Sequence, residues 1–191
     1  MPRQGLTRDI VLAEAVALVD ADGIDQLSLT TLAGRLGVRP PSLYKHVASV
    51  DDVRFGLSLI AYRALERELA RSLEEESDAP IAPFADAYRR FARSHPGLVS
   101  STIRVLPGFE DELREAEAAA VEPLLHVLRK YGIDDPQRQV HLARFVRSAL
   151  HGFLSIEALD GFMRAEPVDV SYQTVVESID LVLKHRKEVP A

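Results

Sequence analysis

Apolar residues recur at helical spacing along almost the whole chain. In the first segment Val11, Ala15, Leu18 and Val19 fall on one face of a helix, and the same spacing returns in every later long segment. We find no run of alternating apolar residues between hairpin turns, which is the pattern of a sheet. The chain is therefore predicted to be all-α.

Capping residues mark the ends of the first two helices. Thr7 is suited to begin the first helix and Gly23 to end it in the left-handed conformation. Ser28 precedes a second, short helix that Gly37 stops. These two helices open a predicted N-terminal domain of three helices.

Two consecutive prolines lie near the predicted start of the third helix. Pro41 suits its first position, because the missing N–H would have no partner there, and Pro40 is expected to lie outside the helix. Further helices are predicted at 50–76, 84–94, 96–105, 109–131, 136–163 and 170–187, with a kink at Pro123 and a proline-containing connector at 77–83.

Charge is distributed unevenly along the chain. The formal net charge is -6, yet residues 1 to 50 hold five basic and five acidic groups, so the whole excess lies after residue 50. Residues 26 to 50 contain no acid and carry Arg35, Arg39 and Lys45. A cationic segment on an acidic body is typical of a DNA-reading module joined to a body that does not bind DNA.

The sequence excludes or disfavours several other classes of protein. It has no cysteine, so disulfides, thiolate metal sites and a cysteine nucleophile are ruled out. Its start is too polar for a secretory signal, and charges interrupt every apolar run before the roughly 18 residues of a membrane span. We therefore expect a cytoplasmic protein without a membrane partner, and we predict no cofactor and no metal site.

The segment from 29 to 47 has the organisation of a helix-turn-helix. Gly37 occupies the turn, and small Ala33 lies where two helices approach closely. In the second helix Leu43 and Val47 are four residues apart and are expected to face inward. The polar residues of that helix are left to point outward or to the flank, and they are Ser42, Tyr44, Lys45 and His46.

Three motifs in this region recur in one known family. They are Gly-Ile at 23–24, Leu-Ala-Gly-Arg-Leu-Gly-Val at 32–38 and Leu-Tyr-Lys-His-Val at 43–47. From about Leu6 to Leu59 the chain resembles the DNA-binding domain of the TetR family of bacterial transcriptional regulators, and most closely the tetracycline-repressor type. The resemblance implies a transcriptional regulator that is not an enzyme.

The resemblance also implies which residues contact double-stranded DNA. Base contacts are expected from Thr30, Arg39, Pro40, Pro41, Ser42 and Lys45, with Tyr44 and His46 against the backbone or groove edge and Ser28 donating to a phosphate. Arg39 and Lys45 can each hydrogen-bond both G O6 and N7, which predicts at least one G·C pair per half-site. Arg3 is expected to add a phosphate or minor-groove contact from an N-terminal arm.

One position departs from the family pattern. Where the family commonly has a phosphate-contacting lysine at the start of the fourth helix, this chain has Ala-Ser-Val-Asp at 48–51. We therefore expect a lower non-specific affinity for DNA than is usual, and an affinity that falls less steeply as the salt concentration rises. This departure alone favours a helical protein-interaction module as the alternative function.

By resemblance, residues 1–50 are the helix-turn-helix domain, 51–76 a connecting helix, and 77–191 a larger helical ligand-binding and dimerisation domain. The run at 149–157 resembles a Trp-His-Gly segment of one subgroup, with Leu150 in place of the tryptophan. Small residues at Ser148, Gly152 and Ser155 suit close helix packing. Homodimerisation is assigned to the helices near 136–163 and 170–187, which implies a palindromic operator.

Aromatic and imidazole groups in the second domain are candidate contacts of a small-molecule effector, although ordinary core packing also explains any one of them. The candidates are Tyr88, Phe91, His95, Phe109, His126, Phe145 and His151. An effector that prefers one tilt of the connecting helix would release a repressor from its operator. An all-helical enzyme using the histidines is less favoured, because no His-x-x-x-His, phosphate loop or nucleophile elbow occurs.

Overall fold

The computed structural model describes residues 5–103 and 106–185, and within these residues the chain forms nine α-helices, one 3-10 helix and no strand. The all-α prediction is therefore confirmed, while Arg3 lies outside the described residues. The helices are α1 (Arg8–Asp22), the 3-10 helix (Ile24–Gln26), α2 (Leu29–Arg35), α3 (Pro40–Leu43), α4 (Val50–Ser72), α5 (Ile81–Ser94), α6 (Pro96–Ser101), α7 (Glu110–Lys130), α8 (Pro136–Glu157) and α9 (Val168–His185). No helix among them is both long and apolar enough to cross a membrane.

The first two helices begin and end where their capping residues predict. The Thr7 hydroxyl accepts a hydrogen bond from the Ile10 N–H, and Ser28 does the same for Thr31. Gly23 and Gly37 have φ angles of 87° and 66°, a region that residues with a Cβ rarely adopt. Local backbone chemistry therefore determines this part of the fold.

The prediction for the start of the recognition helix is wrong by one residue. Arg39 is the N-cap, with an extended ψ of 143°, and Pro40 and Pro41 both lie in the first turn of α3. The first N–H groups of a helix have no intrahelical acceptor, so two prolines there remove no hydrogen bond. Pro40 is thus helical, and Arg39 takes the extended conformation that precedes a proline.

Several long helices differ in length from their predictions. α4 ends at Ser72 instead of 76, because the acidic run 74–76 would oppose the negative end of its dipole. α5 begins at Ile81, since Pro83 is tolerated in a first turn. α6 ends at Ser101, where its last side-chain hydroxyls bond to carbonyls of the preceding turn.

α8 ends at Glu157, six residues before the predicted end. The Gly161 N–H donates to the Ile156 carbonyl, and Asp160 takes the left-handed conformation with φ 51°. Because the left-handed residue is an aspartate and not a glycine, the usual stop signal was absent from the sequence. The loop 158–167 therefore separates α8 from α9.

The chain divides into two compact units. The first contains the described residues up to Arg63 together with those of 94–117. In this unit α6 packs against α1: Asp20 accepts hydrogen bonds from the Gly97 and Leu98 N–H groups, and a side chain at Gly97 would collide with the backbone of Val19. Segment 94–117 therefore belongs to the same compact unit as the helix-turn-helix.

The second unit contains Ala64–Arg93 and the described residues from Ala118 onward. Two buried tyrosines connect its helices: Tyr172 donates to the Ala85 carbonyl, and Tyr131 donates to Asp180 while accepting from the Ile81 N–H. Burial is the main cause that raises the pKa of Tyr131, and the bond to Asp180 raises that pKa further. Burial raises the pKa of Tyr172 as well, so both hydroxyls remain donors at neutral pH.

An ion cluster holds both ends of the 158–167 loop in the second unit. Arg89 is 9% exposed, and its guanidinium pairs with Glu157 and Asp169 and lies 4.2 Å from the centre of the Tyr172 ring. Arg93 pairs with the same two acids. Because Glu157 ends α8 and Asp169 lies in the first turn of α9, the cluster ties α5 to both helices.

Candidate DNA-binding surface and effector contacts

The short recognition helix is stabilised by its buried side. Leu43 is fully buried and Val47 is 2% exposed, whereas Tyr44 between them is 61% exposed. A helix of four residues has little stability of its own, so these two apolar anchors and α2 hold it in position. The predicted division into an inward and an outward side is confirmed, but the helix is shorter than predicted: it ends at Leu43, and residues 44–46 form the turn that follows it.

The outward face carries the cations of this region. Arg39, Pro40, Pro41 and Lys45 are exposed, and Ser42 and His46 are half-buried. Within the part of the chain that the structure describes, neither Arg39 nor Lys45 forms an ion pair. Arg35, by contrast, pairs with Glu14 and Asp22 of α1. The local positive charge of the 26–50 segment therefore comes from Arg39 and Lys45.

The start of α2 supplies the other two predicted DNA contacts. Thr30 is exposed, and Ser28 is half-buried at the N-cap. The Ser28 Oγ lies 2.8 Å from Thr31 Oγ1, and either hydroxyl can be the donor. When the Thr31 hydroxyl donates, the Ser28 hydroxyl proton is available to a DNA phosphate. The contact between Ser28 and a phosphate stays a prediction.

A bidentate ion pair holds the C-terminal end of residues 39–47, which we call the recognition segment. The two terminal nitrogens of Arg8 donate to the two carboxylate oxygens of Asp52 at 2.8 and 2.7 Å. Asp52 Oδ2 also accepts from the Ala48 N–H at 2.8 Å, and Arg8 donates to the His46 carbonyl at 3.4 Å. The pair therefore connects α1 and α4 to the backbone that carries Lys45 and His46.

Sequence reasoning missed this pair because its members are 44 positions apart. The hydrogen bonds from Arg8 lower the pKa of the Asp52 carboxyl, burial opposes that effect, and the Ala48 N–H lowers the pKa further. Asp52 is consequently ionised at neutral pH, as the ion pair requires. We infer that Arg8 and Asp52 position the recognition segment.

Changing Asp52 to Asn should lower the free energy of unfolding by about 1 kcal/mol at pH 7, because Arg8 is 39% exposed and solvent weakens the pair. The folded-state pKa of Asp52 is depressed, so this stabilisation is complete above the unfolded-state pKa of about 3.9 and is lost as pH falls through the lower folded-state value. Urea unfolding of both proteins from pH 7 to pH 3 measures the difference, which should shrink only below about pH 4.

The matched control is Asp51→Asn, which breaks the neighbouring pair between Asp51 and Arg54. Asp51 is 60% exposed, so this variant should lose less than about 0.5 kcal/mol. Equal losses from the two variants, or a difference that grows toward acid pH, would contradict the role assigned to Asp52.

Two of the predicted effector contacts meet in the second unit. The Tyr88 hydroxyl on α5 lies 3.1 Å from Nδ1 of His151 on α8. Phe91 is buried on α5, whereas His126 on α7 and Phe145 on α8 are exposed. The structure thus pairs Tyr88 with His151, and effector binding by each of these residues stays a prediction.

The remaining two candidates belong to the first unit. His95 Nδ1 lies 2.8 Å from Asp20 Oδ2, and the Phe109 ring stacks on Phe55 with centroids 4.3 Å apart. Both side chains have structural partners near α1 and α4. Sequence reasoning did not foresee Asp20, which is 75 positions from His95.

α8, the loop that follows it and α9 expose several large apolar side chains, and the surface that carries them is called the α8/α9 face. Phe145, Ile156 and Leu159 are 41%, 45% and 83% exposed, and Val170 and Leu181 on α9 are 61% and 58% exposed. Gly152 lies within this surface, and a Cβ built on it meets no atom within 4 Å. Ser148 beside it is also exposed. The face therefore has room for another helix.

A helix-turn-helix whose second helix is flanked by exposed cations, here Arg39 before it and Lys45 after it, is typical of a DNA-binding protein. The sequence model of the family described as "Tetracyclin repressor-like, C-terminal domain" matches residues 81–179. The chain is 33% identical to the uncharacterized HTH-type transcriptional regulator Rv0681 of Mycobacterium tuberculosis over 90% of this chain and 78% of that protein. It is 29% identical to the uncharacterized HTH-type transcriptional regulator YobS of Bacillus subtilis over 87% of each chain.

Solved structures have the same fold. A TetR variant from Acinetobacter baumannii AYE, crystallised in complex with minocycline, superposes with a TM-score of 0.72 and 23% identity over 97% of this chain and 100% of that chain. The chain belongs to the TetR family of transcriptional regulators. It is a DNA-binding regulator, and the resemblance carried by residues 6–59 is confirmed.

Proposed function

We propose that this protein is a homodimeric repressor that binds a palindromic operator and is released from it by a small molecule. The observation that carries the proposal is the recognition segment, in which Leu43 and Val47 are buried while Arg39 and Lys45 are exposed without ion-pair partners in the described chain. Such a segment presents its cations to the major groove. The DNA contacts expected from the sequence are part of this proposal.

The α8/α9 face supports the dimer. A soluble monomer rarely exposes a large contiguous apolar surface, and a glycine in a helix interior costs about 1 kcal/mol relative to alanine. Open space at Gly152 suits the close approach of a helix from a second copy. Two such helices from each protomer would form a four-helix bundle.

Two-fold symmetry implies a near-palindromic operator. Each protomer would insert one recognition segment, and the half-site centres would lie about one duplex turn, roughly 34–36 Å, or somewhat more apart. Arg39 or Lys45 would read at least one G·C pair in each half-site. Such a regulator of bacterial operators would act in the cytoplasm.

Release by an effector would use the helices shared by the two units. α4 and α7 each run without a break from residues of one unit to residues of the other. An effector that favours one arrangement of these helices would change the separation of the two recognition segments, and a shift of a few ångströms loses one half-site. We assign DNA contact to 1–50, connection to 51–76, and effector binding and dimerisation to 77–191.

The alternatives are a protein-interaction module and, less favoured, an all-helical enzyme. The hypothesis of a protein-interaction module rests on the absence of a phosphate-contacting lysine at 48–51. The exposed cations of the recognition segment favour DNA over a protein partner. We propose that the chain has no catalytic activity.

Selection of bound duplexes from random DNA tests the proposal. The full chain should enrich a near-palindrome containing G·C pairs in both half-sites, bound by two protomers, and its affinity should fall as salt is raised. A folded dimer that enriches no sequence at low salt would contradict sequence-specific regulation, and the interaction module would then be the better hypothesis.

A further inference from the structure

One buried polar atom in the second unit has no partner. Among the buried side-chain nitrogens and oxygens of residues 5–103 and 106–185, Nε2 of His151 is the atom without a hydrogen bond. Leaving a buried donor or acceptor unpaired costs about 1–3 kcal/mol. Such an atom in a native protein calls for an explanation, and binding of a ligand atom is one.

The Tyr88 contact determines which hydrogen-bonding group this atom presents. Burial, and then the charge of Arg147, lower the pKa of His151, so the imidazole is neutral at pH 7. A neutral imidazole has one donor and one acceptor nitrogen, and the partner of one nitrogen determines the state of the other. The 3.1 Å contact fits either direction, and because a phenol hydroxyl is the stronger donor of the two groups, we assign the donor role to Tyr88 and the ring proton to Nε2.

An N–H at this position requires an acceptor atom from its partner. An ammonium group has only donors, and the positive charge of Arg147 disfavours it further. A carboxylate is an acceptor that the charge of Arg147 would attract, but removing its own charge from water costs several kcal/mol, and an uncharged acceptor avoids that cost. The ketone, ester or lactone oxygen of an uncharged molecule meets both requirements.

The neighbours of the pair along both helices are apolar. Phe84 and Phe91 are buried on α5, one turn before and nearly one turn after Tyr88, and Leu150 and Leu154 are buried on α8 beside His151. We propose that the Tyr88–His151 pair is the polar contact of the effector site and that it selects an apolar, uncharged molecule with an acceptor oxygen. This inference rests on the proposed function, since it assigns the effector class.

Four probes that share one ring and differ in one group test the proposal: cyclohexanone, cyclohexanol, cyclohexanecarboxylate and cyclohexylammonium. The full chain with ¹⁵N-labelled histidine reports protonation and binding at each ring nitrogen. We expect a protonated Nε2 and an unprotonated Nδ1 for His151 at pH 7. Cyclohexanone should shift the His151 signals saturably and bind at least about tenfold more tightly than the carboxylate or the ammonium, with exposed His141 and His185 unmoved as internal controls.

Two variants separate the hydrogen bond from packing. His151→Gln keeps an N–H donor near the position of Nε2 and should weaken cyclohexanone binding by less than about threefold, whereas His151→Phe keeps bulk without the donor and should weaken it by about tenfold or more. Because His151→Phe lacks the reporting ring, its binding is followed by ligand-observed NMR. Equal binding by the two variants would overturn the proposal.

Other results would overturn it too: a proton on Nδ1 in place of Nε2, preference for the carboxylate or the ammonium, or no response of His151 to cyclohexanone. Operator binding, measured separately on the same protein, keeps the two hypotheses apart. If the protein selects an operator but His151 does not respond to cyclohexanone, only this inference is wrong. If cyclohexanone binds at His151 but the protein selects no DNA sequence, the proposed function is wrong.

Discussion

Replacing Arg39 and Lys45 together by alanine will remove sequence preference while leaving the protein folded and dimeric. Both side chains are exposed on the recognition segment, so their loss costs the core nothing. Each bidentate contact to a guanine contributes about 1–3 kcal/mol of discrimination, and a dimer makes every contact twice. The ratio of operator affinity to random-DNA affinity should therefore fall by about a thousandfold or more.

Fluorescence anisotropy with the selected operator and a scrambled duplex of equal length measures this ratio. The matched control is Arg63→Ala with Arg67→Ala, which removes the same charge from exposed positions on α4. Both double variants weaken general attraction to phosphate. Only the first should lose preference, and if it still prefers the operator, the recognition segment has been assigned to the wrong residues.

Placing an arginine at Gly152 should dissociate the dimer without unfolding the chain. The open space around Gly152 accommodates a side chain in one protomer, and replacing a helix-interior glycine favours the helix by about 1 kcal/mol or somewhat less. In the proposed interface the same guanidinium would be buried without a partner, which costs several kcal/mol on each side of the symmetry axis. The dimer dissociation constant should rise by about a thousandfold or more.

Sedimentation across a range of protein concentrations measures this constant. Operator affinity should fall with it, because the two half-sites would no longer be bound by one linked pair. Ala119→Arg on α7 is the matched control, since Ala119 is also exposed but lies outside the α8/α9 face. If Gly152→Arg remained as dimeric as this control, the interface would have to involve other helices.

Where neighbouring residues determine a feature, the sequence was sufficient to predict it. Thr7 and Ser28 cap helices from three residues away, and Gly23 and Gly37 adopt the φ values that their positions require. The buried side of the recognition segment was predicted from the four-residue spacing of Leu43 and Val47. The family motifs and the DNA-reading segment are therefore recognisable from the order of the residues.

Two helix ends were predicted wrongly because two local sequence signals competed there. Pro40 was expected to remain outside the helix because a second proline follows it, but the free N–H positions of a first turn accept both rings. The end of α8 was predicted too late in the chain because Asp160, and not a glycine, takes the left-handed conformation there. Each error concerns a helix end, where the difference in energy between neighbouring boundaries is small.

Tertiary structure alone decided which distant residues meet. Arg8 pairs with Asp52, Asp20 caps α6, and Tyr88 contacts His151, at separations of 44, 77 and 63 positions. No periodicity encodes such pairs, because helical spacing specifies a face and not the neighbour that the face will meet. The sequence by itself therefore determined the helices and the recognition segment. Packing decided how that segment is held in place and left Nε2 of His151 buried without a hydrogen-bond partner.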